Sequence, residues 1–500
     1  MDESAFDPKR PLAAELELSV RDGFELAAVG DCIISRPLSH KRAGDRGFDR
    51  AVELLSSADA AFGNLETTIL DIRSFEGHPE SGADDWGLLS LPAVARDLAA
   101  MGFDLLARAN NHALDWGVAG MRETSRWLDE AGLVHAGVGD NRAHARAPRY
   151  FESARGRVAL ISFASSFSPA AAATPAVGQT AGRPGLSALR VERAVVAPAA
   201  IFDALAGVAR AVDDARGNAS APIGGDAASG GRGAMPSGGG AESGGRDAMP
   251  SGIGGASSET AAGPGERASE LSLFGTRFEP GEHFAYRYAM NAVDLAEILQ
   301  SIRLGKQHAD FAIATIHAHE PAFDEDSPGD FLQPLARQAI DAGADAFIVH
   351  GIHHLGPIEI YAGKPIFYGL ANFFWSDVQE PLDPILREAH AERAAKAFTD
   401  PAAVTDADLT ALMNATDFRD ERTFQTVISV SRFERGRVAE IRLHAIDLGY
   451  GMRLTESGVP RVAPPAQARP ILERLAAISA PYGTKISIRG DIGVIRADAP

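Results

Sequence analysis

A single cysteine, Cys32, stands among the 500 residues, so no intramolecular disulfide can form and nothing favours an oxidising compartment. Nowhere do about 18 apolar residues run consecutively, which excludes a membrane-spanning helix by the length criterion. The opening, Met1-Asp2-Glu3-Ser4-Ala5-Phe6-Asp7-Pro8, lacks the basic start and apolar stretch of a secretory signal. These absences together predict a cytoplasmic protein without an integral membrane segment. Positive charge is short as well: 48 Lys and Arg face 67 Asp and Glu, a net charge of -19, which argues against a general grip on nucleic acid or anionic membranes. What is present, 45% hydrophobic and 23% charged residues, is the material of a soluble globular protein.

From Glu25 to Ala164 short apolar runs alternate with helical periodicity, the pattern of an α/β sheet. Strands are expected at Glu25–Gly30, Ala60–Leu65, Phe103–Ala109, Val134–Val138 and Val158–Ala164. Helices are expected at Phe48–Ser57, Leu91–Met101 and Val118–Ala131, with Gly102 and Gly132 as C-terminal stops. The stretch 217–265 is Gly/Ser/Ala-rich, and Gly-Gly-Arg-Gly-Ala-Met-Pro-Ser-Gly at 230–238 returns almost unchanged at 244–252. Two imperfect, apolar-poor copies do not make a solenoid, so this is read as a flexible insertion.

The α/β grammar then resumes with a helix at Ala292–Gly305, a strand at Phe311–Ile316, a helix at Phe331–Ala342 and a strand at Ala346–His350. Hairpins follow at Ile358–Tyr361 with Pro365–Tyr368 and at Phe424–Phe433 with Val438–Ala445. One domain over 25–448 is therefore expected, with extensions at 1–24 and 449–500. The latter holds a helix near Pro470–Ile478 and an apolar end at Lys485–Ile495.

Polar residues collect where predicted strands end, which is where open α/β sheets gather ligands. Asp31 follows an apolar strand and a glycine and could ligate a cation, although a turn aspartate is the commoner fate of Gly-Asp. Cys32 beside it is read as a buried small residue. Asn64 and Glu66 alternate on a strand end and share a face. Asn110, Asn111 and His112 close the next strand; asparagines suit a turn, and Asn111 or Asp115 suits a helix cap, but His112 suggests a metal ligand or an acid/base group. His317 ends an apolar run, with His319 and Glu320 just beyond. His350, His353 and His354 pack three histidines into five residues, a density that favours a metal or acid/base site over structural histidines.

These blocks resemble the CapA family of bacterial capsule-synthesis (poly-γ-glutamate biosynthesis) proteins, a branch similar to calcineurin-like metallophosphoesterases. Gly30-Asp31, Gly63–Glu66 (GNLE), Asn110–Gly117 (NNHALDWG), His317 with Glu320, and Ile358–Phe373 (IEIYAGKPIFYGLANF) occur in the family's order. The resemblance implies a four-layer α/β/β/α sandwich whose strand ends hold one or two divalent metals, Mn, Fe or Zn. It implies Asp31, Glu66, Asn110, His317 and His350 as metal ligands. Asn64, Asn111, His319, Glu320 and His353 would lie on the substrate, and His112, His317 and His354 in catalysis.

Two departures stand out. Metallophosphoesterases usually begin Asp-x-His and close Gly-His-x-His, whereas this chain has Asp31-Cys32-Ile33 and His350-Gly351-Ile352-His353-His354. The readings left open are a metal-assisted hydrolase or transferase on a phosphoester or γ-glutamyl/peptide-like substrate, a metal-free acid/base enzyme such as an epimerase on a peptide, and a non-catalytic subunit of polymer assembly. The expected partner is thus a small molecule or a peptide or polyglutamate-type substrate.

Overall fold

The computed structural model describes residues 12–80, 87–219, 269–324, 327–376, 393–416 and 420–496. From residue 220 onward, the expected Gly/Ser-rich insertion lies outside them. The chain divides into two compact units, Met1–Val191 with Met290–Pro500, and Glu192–Ala289.

In the larger unit, Phe24–Ile34 is the axis of a ten-stranded mixed sheet. On one side it pairs in parallel with Ala60–Leu65, and Leu105–Ala107 and Val134–Ala136 follow, also parallel. On the other side its first half pairs antiparallel with Gln425–Glu434, and from Asp31 onward Asn372–Ser376 takes over in parallel. Arg437–Asp447, Ile492–Arg496 and Ser487–Arg489 extend that side, so the C-terminal residues belong to the sheet. A second, six-stranded sheet runs in the order Ile358–Tyr361, Lys364–Phe367, Ala346–His350, Phe311–His317, Gly156–Ala164, Arg149–Ser153.

The alternation of a strand explains why Leu26–Val29, in the middle of Phe24–Ile34, is an unbroken apolar run. Phe24, Leu26 and Ala28 enter one core with Val158, Leu160, Ile313 and Ile348 of the second sheet. Ala27 and Val29 face the opposite way, into a core with Phe48, Val52 and Leu55 of helix Arg46–Ser56 and Val94 and Leu98 of helix Ala93–Ala100. A strand covered on both faces needs no polar side. Each buried Val, Leu or Phe contributes about 1.5–3 kcal/mol, and the first core is tied across the sheets by the Phe24, Phe311 and Phe433 rings, with centroids 4.7–6.2 Å apart.

Local chemistry sets the helix starts. Asp45 accepts from Phe48 N at 3.1 Å to open Arg46–Ser56, and Asn291 accepts from Val293 N and Asp294 N to open Ala292–Gln307. Each such cap is worth about 1 kcal/mol. Helix Ala292–Gln307 packs on the second sheet, where Gly305 lies over Ala159 and Ile161. Helix Pro465–Ser479 feeds Ala468, Ile471, Leu472 and Leu475 into the core between the sheets. Among the described residues no helix is long and apolar enough to cross a membrane.

The smaller unit is a four-stranded sheet, Leu271–Leu273, Thr276–Gly281, Val191–Pro198 and Ala285–Met290, with helix Ala199–Ala219. Its short strands mix charged and apolar residues and give a weak periodic signal.

Candidate metal centre

The carboxyl ends of the parallel strands bring the expected residues together. Asp31 sits where Phe24–Ile34 breaks register with both parallel neighbours, a bulge that re-aims its side chain. Asn64 closes Ala60–Leu65 and Glu66 follows it; Asn110 and His112 lie just past Leu105–Ala107. His317 and His350 end adjacent strands and are direct Cα partners. Asp31, Asn64, Glu66, Asn110, His317 and His350 are fully buried. Beyond His350 the chain turns through Gly351 at φ +107° and His353 at φ +56°. A non-glycine residue there costs about 1–3 kcal/mol, which is offset where its side chain is held.

Hydrogen bonds fix the ring nitrogens. Thr315 Oγ1 gives its one proton to Ile348 O at 2.9 Å, so it must accept from His350 Nε2 at 2.8 Å, leaving the lone pair of His350 on Nδ1. Asn372 Oδ1 can only accept, at 2.8 Å, so His353 Nδ1 carries a proton and its Nε2 is free. His112 Nδ1 donates to Asp115 Oδ2 at 2.8 Å, and its Nε2 faces Glu66 Oε1 at 4.0 Å. Asn110 Nδ2 donates to Leu65 O and to Asn64 Oδ1, which turns the Asn64 amide toward Asp31 Oδ1 at 2.8 Å and His317 Nδ1 at 3.3 Å.

His317 Nδ1 and His350 Nδ1 therefore meet as two lone pairs 3.0 Å apart. A proton on His317 Nδ1 would join them but would oppose the Asn64 amide. Imidazole nitrogens sharing one transition metal at about 2.1 Å each lie about 3 Å apart, so the observed spacing fits a cation. Glu66 adds a sharper observation: neither of its buried carboxylate oxygens has a hydrogen-bond donor. Candidate ligand atoms fall into three overlapping groups, each within 4.8 Å: Asp31, His317 and His350; Glu66, His317 and His319; Asp31, Glu66 and His353. Two carboxylates with several imidazoles suit Mn, Fe or Zn.

Burial dominates the electrostatics. It pushes Glu66 well above the usual carboxylate range, with the Asp31 charge adding to it. For Asp31 burial acts upward too, but the His353 hydrogen bond, the neighbouring imidazoles and the Asn64 amide outweigh it and hold the group low. Burial brings His350 down to about 4, and burial with the His353 charge brings His319 down to about 3. His317 is also pushed well down, by burial and then by the His319 charge. These rings are neutral near pH 7, as ligation requires. Burial pushes the Cys32 thiol well up, so it is inert.

Of the remaining expected residues, Glu320 is held by Ser165 and Ser166, and Asn111 lies beside Asn110 with a buried Oδ1 that has no donor. His354 belongs to none of the three groups. Sequence reasoning missed Thr315, Ser165, Ser166 and Asn372, and weighed Asp115 only as a helix cap. Spacing carried a partial signal, since Thr315 precedes His317 by two residues on one strand face and Asp115 follows His112 by three. Asp115→Ala is expected to lower activity or metal affinity about 10- to 100-fold and to release His112 from its Nδ1–H tautomer, which ring ¹⁵N NMR reads directly. An unchanged tautomer would remove Asp115 from the site.

Comparison with known proteins finds a relative over nearly the whole chain. The chain is 42% identical over 503 residues to the uncharacterized protein y4sH of Sinorhizobium fredii, covering 98% of this chain and 96% of that protein. It is 46% identical over 68 residues to the PGA biosynthesis protein CapA of Bacillus subtilis, 14% of this chain and 17% of that one. A crystal structure of a hypothetical protein from Thermus thermophilus aligns over 85% of this chain and 99% of its own at 10% identity, with a TM-score of 0.33. The family model described as bacterial capsule synthesis protein PGA_cap matches residues 25–376, a span that includes every strand end just described, and the chain belongs to that family.

Proposed function

We propose that this chain is a metal-dependent hydrolase or transferase acting on a phosphoester or γ-glutamyl-type amide of a peptide or polyglutamate-like substrate, built on a four-layer α/β/β/α sandwich of the metallophosphoesterase type. One observation carries the reading: the Glu66 carboxylate is buried beside Asp31 with no hydrogen-bond donor, and it shares candidate ligand groups with His317, His319 and His353. A buried carboxylate in that state is costly, and only a cation or a proton relieves it. Asp31, Glu66, His317 and His350 would hold the ion, with His319 and His353 within reach. When bound, a divalent metal lowers the pKa of a bound water and polarises a phosphoryl or acyl oxygen.

The chain's own residues handle protons and orientation. His112, held by Asp115 with its Nε2 toward the centre, is placed to take or give a proton. His353, 23% exposed, sets its Nδ1 3.5 Å from Asp31 Oδ2. Family membership supports polymer-type work, since relatives carry PGA biosynthesis names.

The test is metal analysis of protein purified with Mn, Fe or Zn supplied. About one equivalent or more should be retained in the wild type and lost in Asp31→Asn and His317→Ala, with turnover of phosphoester or γ-glutamyl probes lost in parallel. Wild-type protein that retains none of these metals would sink the reading.

A second reading, metal-free acid/base chemistry on a peptide, is favoured by the ring contacts of His317 with His350 and with His319, at 3.0 and 2.9 Å, which neutral imidazoles also make as hydrogen bonds. Activity that survives chelation would select it.

A further inference from the structure

His319 lies past the end of its strand, where the sheet no longer fixes the backbone. The ladder of Phe311–His317 closes with His317 paired to Ala164 and His350. Two serines continue its role. Ser166 Oγ accepts the His319 backbone N–H at 2.6 Å and donates to Glu320 Oε1 at 3.0 Å. Ser165 Oγ donates to Glu320 Oε2 at 2.7 Å, and Ser165 N donates to His317 O at 3.0 Å. A hydroxyl has one proton, so that of Ser166 is committed to Glu320, and each Glu320 oxygen accepts from one serine. Glu320 O accepts in turn from Gly329 N at 3.1 Å, which ties the loop after the strand to the same point. The result places His319 Nε2 at 2.9 Å from His317 Nε2 and groups it with Glu66.

We propose that Ser166 and Glu320 are positioning residues that hold His319 against His317 and Glu66, acting through His319 rather than on metal or substrate. The consequence for metal affinity rests on the metal reading above; the placement of the ring does not. An N–H that ends a ladder needs a partner when buried, and here that partner is bound to the residue next to the ring it positions.

Two readouts separate these claims. In chelated, histidine-labelled protein, with His319 assigned through His319→Gln, Ser166→Ala is expected to move the His319 ring ¹⁵N signals while those of His112 stay. Ser166→Thr, which keeps the hydroxyl, is expected to restore them. Calorimetric titration with Mn²⁺ is expected to show an affinity about 10- to 100-fold weaker in Ser166→Ala and near wild type in Ser166→Thr. Should Ser166→Ala not fold, Glu320→Gln keeps the size but removes one acceptor, and is expected to move the same signals by less. His319 signals unmoved in the variants that fold would overturn the proposal, as would unchanged Mn²⁺ affinity in Ser166→Ala. Wild-type protein that takes up none of Mn²⁺, Fe²⁺ and Zn²⁺ would remove the metal reading alone, leaving the His319 signals to decide the positioning role.

Discussion

Glu66→Gln is expected to make the metal-free protein more stable while abolishing its metal uptake. The carboxylate is fully buried, has no donor and lies beside Asp31. Its pKa is therefore raised in the native state, which holds a proton that the unfolded chain releases above about pH 4.3. The sign follows from linkage: stability falls as pH rises from that value through the native pKa, by up to about 1.4 kcal/mol per unit. Glutamine does not titrate, so the advantage of the variant widens with pH, and the depressed imidazoles act in both proteins alike. Metal reverses the order, since an ion at about a thousand times its Kd adds about 4 kcal/mol to the protein that binds it. Denaturation with chelator at about pH 5.5 and about pH 8, then with Mn²⁺, reads all of this. A chelated variant less stable than wild type at the higher pH would mean that Glu66 has a donor after all, and the strongest argument for a cation would go.

The sequence revealed the ligand-bearing strand ends because a buried apolar run rarely stops at a charged or imidazole side chain unless that group has something to bind. Asp31, His317 and His350 were legible in that way, and the structure places them in one group. The groups that fix their orientation were not. Thr315 looks like any β-branched strand residue, and only the direction of its single proton shows that it sets the His350 tautomer. Asn372 stood inside a block whose order carried the resemblance, yet its hold on His353 depends on a left-handed turn that spacing cannot reveal. The strands Ser487–Arg489 and Ile492–Arg496 were read only as an apolar end, because a three-residue strand beside a five-residue one gives too short a period to recognise. The sheet over Val191–Met290 was missed for the same reason.

Gly30→Ala is expected to leave little folded protein. A Cβ at position 30 would overlap Ala371 O and come within 2.7 Å of Leu370 O and 2.8 Å of Leu370 C. These are backbone atoms, and they are held from several sides. Asp31 N donates to Ala371 O at 2.9 Å, Thr426 Oγ1 donates to Leu370 O, Leu370 bridges to Leu355, and Ala371 already lies at φ +54°. Pushing this segment away would pull Asn372 off His353 and Asp31 out of register with its neighbours. Ordinary overpacking costs about 1–3 kcal/mol; backbone against backbone should exceed about 4, a large share of the roughly 5–15 kcal/mol that stabilises a domain. Gly44→Ala is the control, at φ -123° with nothing within 4 Å, and should melt as wild type does. Soluble yield and circular dichroism decide the matter, with metal content measured in whatever Gly30→Ala protein folds. A Gly30→Ala variant that melts like wild type would mean that Gly30 and the Leu370–Ala371 backbone do not approach this closely, and the bulge that aims Asp31 at the histidines would lose its cause.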